Sequence, residues 1–203
     1  MRKGATDMAK RFREDAIAEA EEPRRRMPGW LEWVLVFAIA IAASLLIRRY
    51  VVEFYKVPSA SMLETILEGD YLVGEKITYR SRTPEAGEVV TFDDPTGRGV
   101  TLIKRVIAVG GQTVDLRDGV VYVDGVAQEE DYTLGKPSYP LDTQAPGVTV
   151  EYPYTVPDGY LWVMGDNRTN SLDSRYFGAI PVSSVTSRAV WTYWPVSRWG
   201  AME

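Results

Sequence analysis

Val100-Thr101-Leu102-Ile103-Lys104-Arg105-Val106-Ile107 decides how this chain of 203 residues is read. Strand alternation places Val100, Leu102, Lys104 and Val106 on one face and Ile103, Arg105 and Ile107 on the other. Both faces are otherwise apolar, so each cation interrupts a core-like pattern, and Lys is seldom fully buried without a partner. One reading is an edge strand whose Lys guards against edge-to-edge pairing. The other is a desolvated amine. Burial disfavours the ammonium and can lower a Lys pKa from ~10.4 by as much as ~3–5 pH units, which leaves a general base near neutrality.

Working outward, short strand-like runs recur on both sides: 71–73, 88–92, 112–116, 120–123, 160–164 and 188–194. Asp118-Gly119 separates two of them as a hairpin signal, and Asp124-Gly125 marks a second turn. Pro137, Pro140, Pro146, Pro153 and Pro157 predict a loop or edge segment across 135–159. The expected fold class is mainly β, an antiparallel β-sheet or barrel-like domain anchored by one N-terminal transmembrane helix.

That helix is read from residues 30–47, WLEWVLVFAIAIAASLLI, whose one charge is Glu32. It would span about 27 Å at ~1.5 Å per residue, close to the ~30 Å hydrocarbon core. Trp30 and Trp33 mark one end and Tyr50 the other, as an aromatic belt does. A soluble core helix would show a polar stripe, and Val34 to Leu46 offers only Ser44. Ala38-Ile39-Ala40 has the small-x-small form of a signal-peptide cleavage site, but it lies inside the apolar run and behind a long tail that carries acids. An uncleaved anchor is expected. Arg24, Arg25 and Arg26 precede it, further basic residues populate the tail, and Arg48 and Arg49 follow, so the positive-inside rule places the N-terminus in the cytoplasm. The expected organisation is a cytoplasmic tail over 1–29, an anchor over 30–49 in the cell membrane, and an extracytoplasmic domain over 50–203.

Composition narrows the chemistry. The chain has no His, which removes the Ser-His-Asp triad and His-based zinc sites, and no Cys, which removes thiol nucleophiles and disulfides. Net charge is -5, against a nucleic-acid partner of the basic-patch kind. A nucleophilic enzyme built from this chain must pair Ser or Thr with a base other than imidazole.

Two further segments meet that requirement. Val57-Pro58-Ser59-Ala60-Ser61-Met62-Leu63-Glu64 follows the anchor; Ser61 with Glu64 forms a capping box that predicts a helix N-terminus, with Gly69 as its stop, and that reading leaves Ser59 idle. Residues 164–178, MGDNRTNSLDSRYFG, form a dense polar loop after an apolar strand, in which Asp173 and Arg175 can pair and stiffen the backbone.

Together PSASM, IKRVIAVGG and GDNRTNSLDSRYFG, in that order, resemble the bacterial type I signal peptidases, membrane-anchored Ser-Lys proteases. The resemblance covers the anchor and almost all of 50–203. It implies Ser61 as nucleophile and Lys104 as its general base. Ser59 and the Ser61 backbone N–H would supply the oxyanion hole, Ser171 would orient the Lys104 amine, and Asp173 with Arg175 would hold that loop. It also implies secretory preproteins as substrates, cleaved after small residues beside a lipid bilayer, by a monomer with no cofactor or metal. Two departures stand out: Glu64 where relatives commonly have Pro, and Val109-Gly110-Gly111-Gln112 where many have Leu-Pro-Gly-Asp. Alternatives are a maturation peptidase dedicated to one substrate and a non-catalytic, membrane-tethered β domain that binds cell-surface partners. The aromatic run Trp191-Thr192-Tyr193-Trp194-Pro195, with Trp199, reads either as a lipid-headgroup contact or as a core strand with a frayed tail.

Overall fold

The computed structural model describes residues 28–202, so the expected cytoplasmic tail lies outside the described residues apart from Pro28 and Gly29. Helix α1, Gly29–Tyr50, starts and ends within one residue of the expected anchor. None of its residues is buried, and its mean hydropathy reaches 2.3, so it is long and apolar enough to cross a membrane.

The β-rich region contains strands β1 (Val52–Lys56), β2 (Tyr71–Glu75), β3 (Val89–Asp93), β4 (Thr101–Val109), β5 (Thr113–Arg117), β6 (Val120–Val123), β7 (Val126–Ala127), β8 (Tyr154–Thr155), β9 (Tyr160–Met164), β10 (Ile180–Pro181), β11 (Val185–Trp194) and β12 (Gly200–Ala201). The large sheet runs β1-β2-β11-β3-β4-β9-β10 with β12 paired to β11, and the small sheet runs β7-β6-β5-β8. Every pairing is antiparallel, as expected, along open paths rather than a closed ring.

Strand β4 sits between β3 and β9, with Lys104 opposite Val90 and Arg105 opposite both Val89 and Met164. The edge-strand reading of Lys104 is therefore overturned, because both sides of β4 are already paired. Asp118 and Gly119 adopt φ of 51° and 82°, the left-handed pair that a two-residue hairpin turn between β5 and β6 requires. The proline-rich stretch does supply an edge, β8, on the small sheet. It also sends Ala145, Val150 and Val156 into the core.

The predicted helix after Ser61 does not form. Residues 59–69 make successive turns, with Leu63 N–H donating to the Ala60 carbonyl at 3.2 Å and Ile66 N–H to Met62 at 2.9 Å. Met62 and Ile66 are fully buried beside Val57, Leu72 and Val89, and each such burial contributes about 1.5–3 kcal/mol. Tertiary burial of these two residues thus outweighs the local capping signal, and Glu64 is left exposed. Gly69 still ends the segment with φ of 91°.

Neither reading of the C-terminal aromatics is complete. Trp191, Tyr193 and Trp194 belong to β11 and Trp199 to the turn after it, and β12 folds back so that Trp191 pairs with Ala201, so the tail is not frayed. Trp194 and Trp199 remain exposed, and Tyr193 meets Phe54 and Tyr71 edge-on at 5.6 and 5.8 Å.

Candidate active site

Lys104 and Arg105, adjacent on a central strand, project to opposite faces and are both 3% exposed. Lys104 Nζ donates to Ser61 Oγ at 2.6 Å and to the Ile103 carbonyl at 2.9 Å. Burial dominates its titration and lowers the pKa to about 8, against the opposing pull of the Asp173 and Asp166 charges. Near that pH much of the amine is neutral. The 2.6 Å contact can then reverse, with the Ser61 hydroxyl donating to the nitrogen lone pair, as proton abstraction requires.

Ser61 is held from behind by the loop after β9. Asn167 N–H donates to the Ser61 carbonyl at 3.1 Å, and Asn167 Nδ2 donates to the Ala60 carbonyl at 2.8 Å. Asp166 accepts from Thr65 Oγ1 at 2.5 Å and takes a two-pronged ion pair from Arg105 Nε and Nη2 at 2.9 and 2.8 Å. Gly165 passes so close that a Cβ there would overlap the Ser171 hydroxyl and the Ser61 carbonyl oxygen. Asp166, Asn167, Gly165 and Thr65 carry no role in the sequence reading. The one signal that could have marked them is the density of the 164–178 loop.

Of the residues expected to support the dyad, Asp173 and Arg175 meet as a buried pair, Nε to Oδ1 and Nη2 to Oδ2 at 2.9 Å each. Burial would raise the Asp173 carboxyl, but the Arg175 guanidinium and the Gly165 N–H hold it below the ordinary carboxylate range. Arg175 Nη2 also donates to the Arg168 carbonyl at 2.8 Å, tying the loop to itself. Ser171 is buried nearby, but its Oγ makes no hydrogen bond of acceptable geometry. It lies close enough to Asp173 to help lower that carboxyl, while the amine's protein partners are Ser61 and Ile103. Ser59 is exposed, and neither its hydroxyl nor the Ser61 N–H donates to a protein acceptor among the described residues.

Ser59, Ser61 and Lys104 open onto a groove of about 370 Å³ whose walls include Pro58, Leu102 and Leu172. A second pocket of about 40 Å³ adjoins it, sharing Pro58 and residues 101–103 and bounded by Val57 and Leu72. A serine hydroxyl, a neutralisable amine and free donors around a groove are an arrangement that suits acyl transfer. Among the described residues no cluster of acidic side chains suits a metal ion.

The family model described as signal peptidase, peptidase S26, matches residues 30–194, from α1 to the end of β11. The chain belongs to the signal peptidase family. A probable signal peptidase I-1 of Synechocystis sp. is 39% identical over 84% of this chain and 86% of its own length. The signal peptidase I of Leptolyngbya laminosa is 34% identical over 90% and 88%. The thylakoidal processing peptidase 1 of Arabidopsis thaliana is 33% identical over 88% of this chain, which spans 55% of that relative. A crystal structure of a signal peptidase I from Enterococcus faecalis V583 is 30% identical, covers 53% of this chain and 97% of its own, and gives a TM-score of 0.41. Membership of this peptidase family makes the protein a membrane-associated serine endopeptidase of signal peptides. Neither departure from the usual family motifs lines the groove. Glu64 is exposed, and Gly110 packs against the Pro157–Gly159 backbone, where a Cβ would meet Pro157 O at 2.9 Å.

Proposed function

We propose that Ser61 is the nucleophile and Lys104 the general base in signal-peptide cleavage. The observation that carries this reading is a buried lysine amine 2.6 Å from a serine hydroxyl at the floor of a groove. Neutral Lys104 takes the Ser61 proton as Oγ attacks the scissile carbonyl, and the Ser61 N–H with the Ser59 hydroxyl stabilises the oxyanion. The protonated amine returns a proton to the leaving amine. Lys104 then activates the water that releases the acyl-enzyme. Asp173 and Arg175 keep the loop behind the dyad rigid, and Ser171 sits beside Asp173 rather than bonded to the amine.

The smaller of the two pockets supports selection for a small residue at one substrate position. In an extended peptide alternate side chains point the same way, so two of them address the main groove and its neighbour. The ~40 Å³ neighbour is small beside the ~370 Å³ groove and suits a short side chain better than a long one. One chain supplies all of these groups, so a monomer suffices. The proposed arrangement has the tail over 1–29 in the cytoplasm, the anchor over 30–49 and the peptidase domain over 50–203 outside. Proteinase protection of inside-out vesicles should cut the tail and spare the domain.

Ser61→Ala and Lys104→Met should each abolish cleavage of a preprotein by the membrane-reconstituted chain while leaving its circular dichroism unchanged. Substantial turnover by either variant would refute the assignment.

A further inference from the structure

Asn167 has no part in the proposed dyad, yet it holds the carbonyls on both sides of the Ser61 backbone nitrogen. Its side-chain amide donates to the Ala60 carbonyl at 2.8 Å, and its backbone N–H donates to the Ser61 carbonyl at 3.1 Å. Asn167 is 6% exposed and lies 107 positions from Ala60, so these are buried tertiary contacts rather than features of a local turn. The Ala60 carbonyl also accepts from Leu63 N–H at 3.2 Å. That longer bond lies within the turn and moves with it, so it cannot fix the turn against the β4–β9 framework.

The Ala60–Ser61 peptide is not among the cis bonds of the described residues. In a planar trans peptide the N–H points away from the C=O. Drawing the Ala60 oxygen toward Asn167 therefore turns the Ser61 N–H to the opposite side. Among the described residues that N–H donates to no protein acceptor, and both Ser59 and Ser61 line the groove.

We propose that Asn167 is a positioning residue that aims the Ser61 N–H at the oxyanion, an inference that rests on Ser61 being the nucleophile. A donor so aimed matters most when negative charge develops on the carbonyl oxygen. Its misalignment therefore lowers kcat and leaves ground-state binding nearly unchanged.

The test uses the full-length chain in proteoliposomes with Asn167→Ala and Asn167→Asp. The Asp variant keeps the shape and the backbone N–H but lacks the side-chain donor. Two readouts are taken: kcat and KM on a signal-peptide substrate, and affinity for a peptide aldehyde, which forms a tetrahedral adduct on a serine hydroxyl. The expected result is a kcat lower by roughly 10- to 100-fold, KM within about twofold, and aldehyde affinity falling in step with kcat. A folded variant with kcat within about twofold of the parent overturns the proposal. So does a loss of kcat that only tracks the unfolded fraction, with aldehyde affinity per folded molecule unchanged. If circular dichroism shows both variants unfolded, Asn167 is a scaffold residue and the positioning role is overturned. Ser61→Ala, measured in parallel, separates the two layers. Turnover by Ser61→Ala defeats the nucleophile assignment itself, whereas an inactive Ser61→Ala beside a fully active Asn167→Asp defeats only the role of Asn167.

Discussion

The amine of Lys104 sets a pH requirement whose sign follows from burial. Its pKa of about 8 lies below the ordinary 10.5, so the base form grows as pH rises through 8. Below that point kcat/KM should climb about tenfold per pH unit, and above it the profile should level. A pH–rate profile checks this, and a flat one down to pH 5 would rule out Lys104 as base. Stability is linked in the same direction. Between pH 8 and 10.5 the unfolded chain binds more protons at this site than the folded one, so folding becomes more favourable as pH rises across that window. Lys104→Met should remove that part of the slope in urea titrations run at pH 8 and pH 10. Gly165 makes a steric demand of equal sharpness. A methyl there must displace the Ser171 side chain or the Ser61 carbonyl, and misplacing a nucleophile by about 1 Å costs on the order of 100-fold in rate. Gly165→Ala should show that loss in kcat while the chain remains folded. Near-parental turnover would mean that the loop can yield.

At the scale of elements, the segment 130–139 straps the catalytic loop from behind. Glu130 takes Arg168 Nη1 and Nη2 at 2.7 and 2.6 Å, Tyr132 lies 4.0 Å beneath the Arg105 guanidinium, and the Tyr139 carbonyl accepts from Arg175 at 3.2 Å. The Arg168 side chain is fully buried, so Glu130→Gln leaves a guanidinium without its counter-charge, and about 3 kcal/mol of destabilisation is expected in urea unfolding. Removing the Arg117–Asp115 pair instead, in which Arg117 is exposed, should cost under about 1 kcal/mol, because water already screens the guanidinium. The same contrast explains what was legible in the sequence. Strands β4, β5, β6, β9 and β11 show as apolar or alternating runs, and the Asp118-Gly119 turn shows as a dipeptide, because those signals are local. The central place of β4 depends on which strands flank it, and its alternation cannot reveal that. Ser61 and Glu64 match a helix cap, and only the burial of Met62 and Ile66 shows that no helix follows. Strand β1 carries no clear local signal, because VEFYK lacks a regular alternation and takes its extended form from pairing with β2. The Asn167–Ala60 grip joins residues 107 positions apart and leaves no periodic trace.

For the whole molecule, the proposed division of labour is between a domain that holds the chemistry and a helix that holds the domain at the lipid. The three buried clusters of the β domain draw on residues from Val57 onward and none from α1, so the domain has its own core. The apolar surface of α1 is unburied along its length, and lipid is the solvent that suits it. A chain beginning at Arg49 should therefore fold and cleave a short soluble peptide with kcat/KM within about threefold of the full chain. The outcome should differ on a preprotein inserted in proteoliposomes. Confinement of both partners to one membrane raises their local concentration, so an untethered domain added at about 1 µM should process the inserted preprotein at least roughly tenfold more slowly. Replacing α1 by an unrelated apolar helix of equal length should restore the rate, since confinement to the membrane is what the tether contributes. Equal rates for truncated and full-length chains on the inserted preprotein would show that the anchor is dispensable for reaching the cleavage site. Failure of the replacement helix would instead assign α1 a sequence-specific contact with the signal peptide.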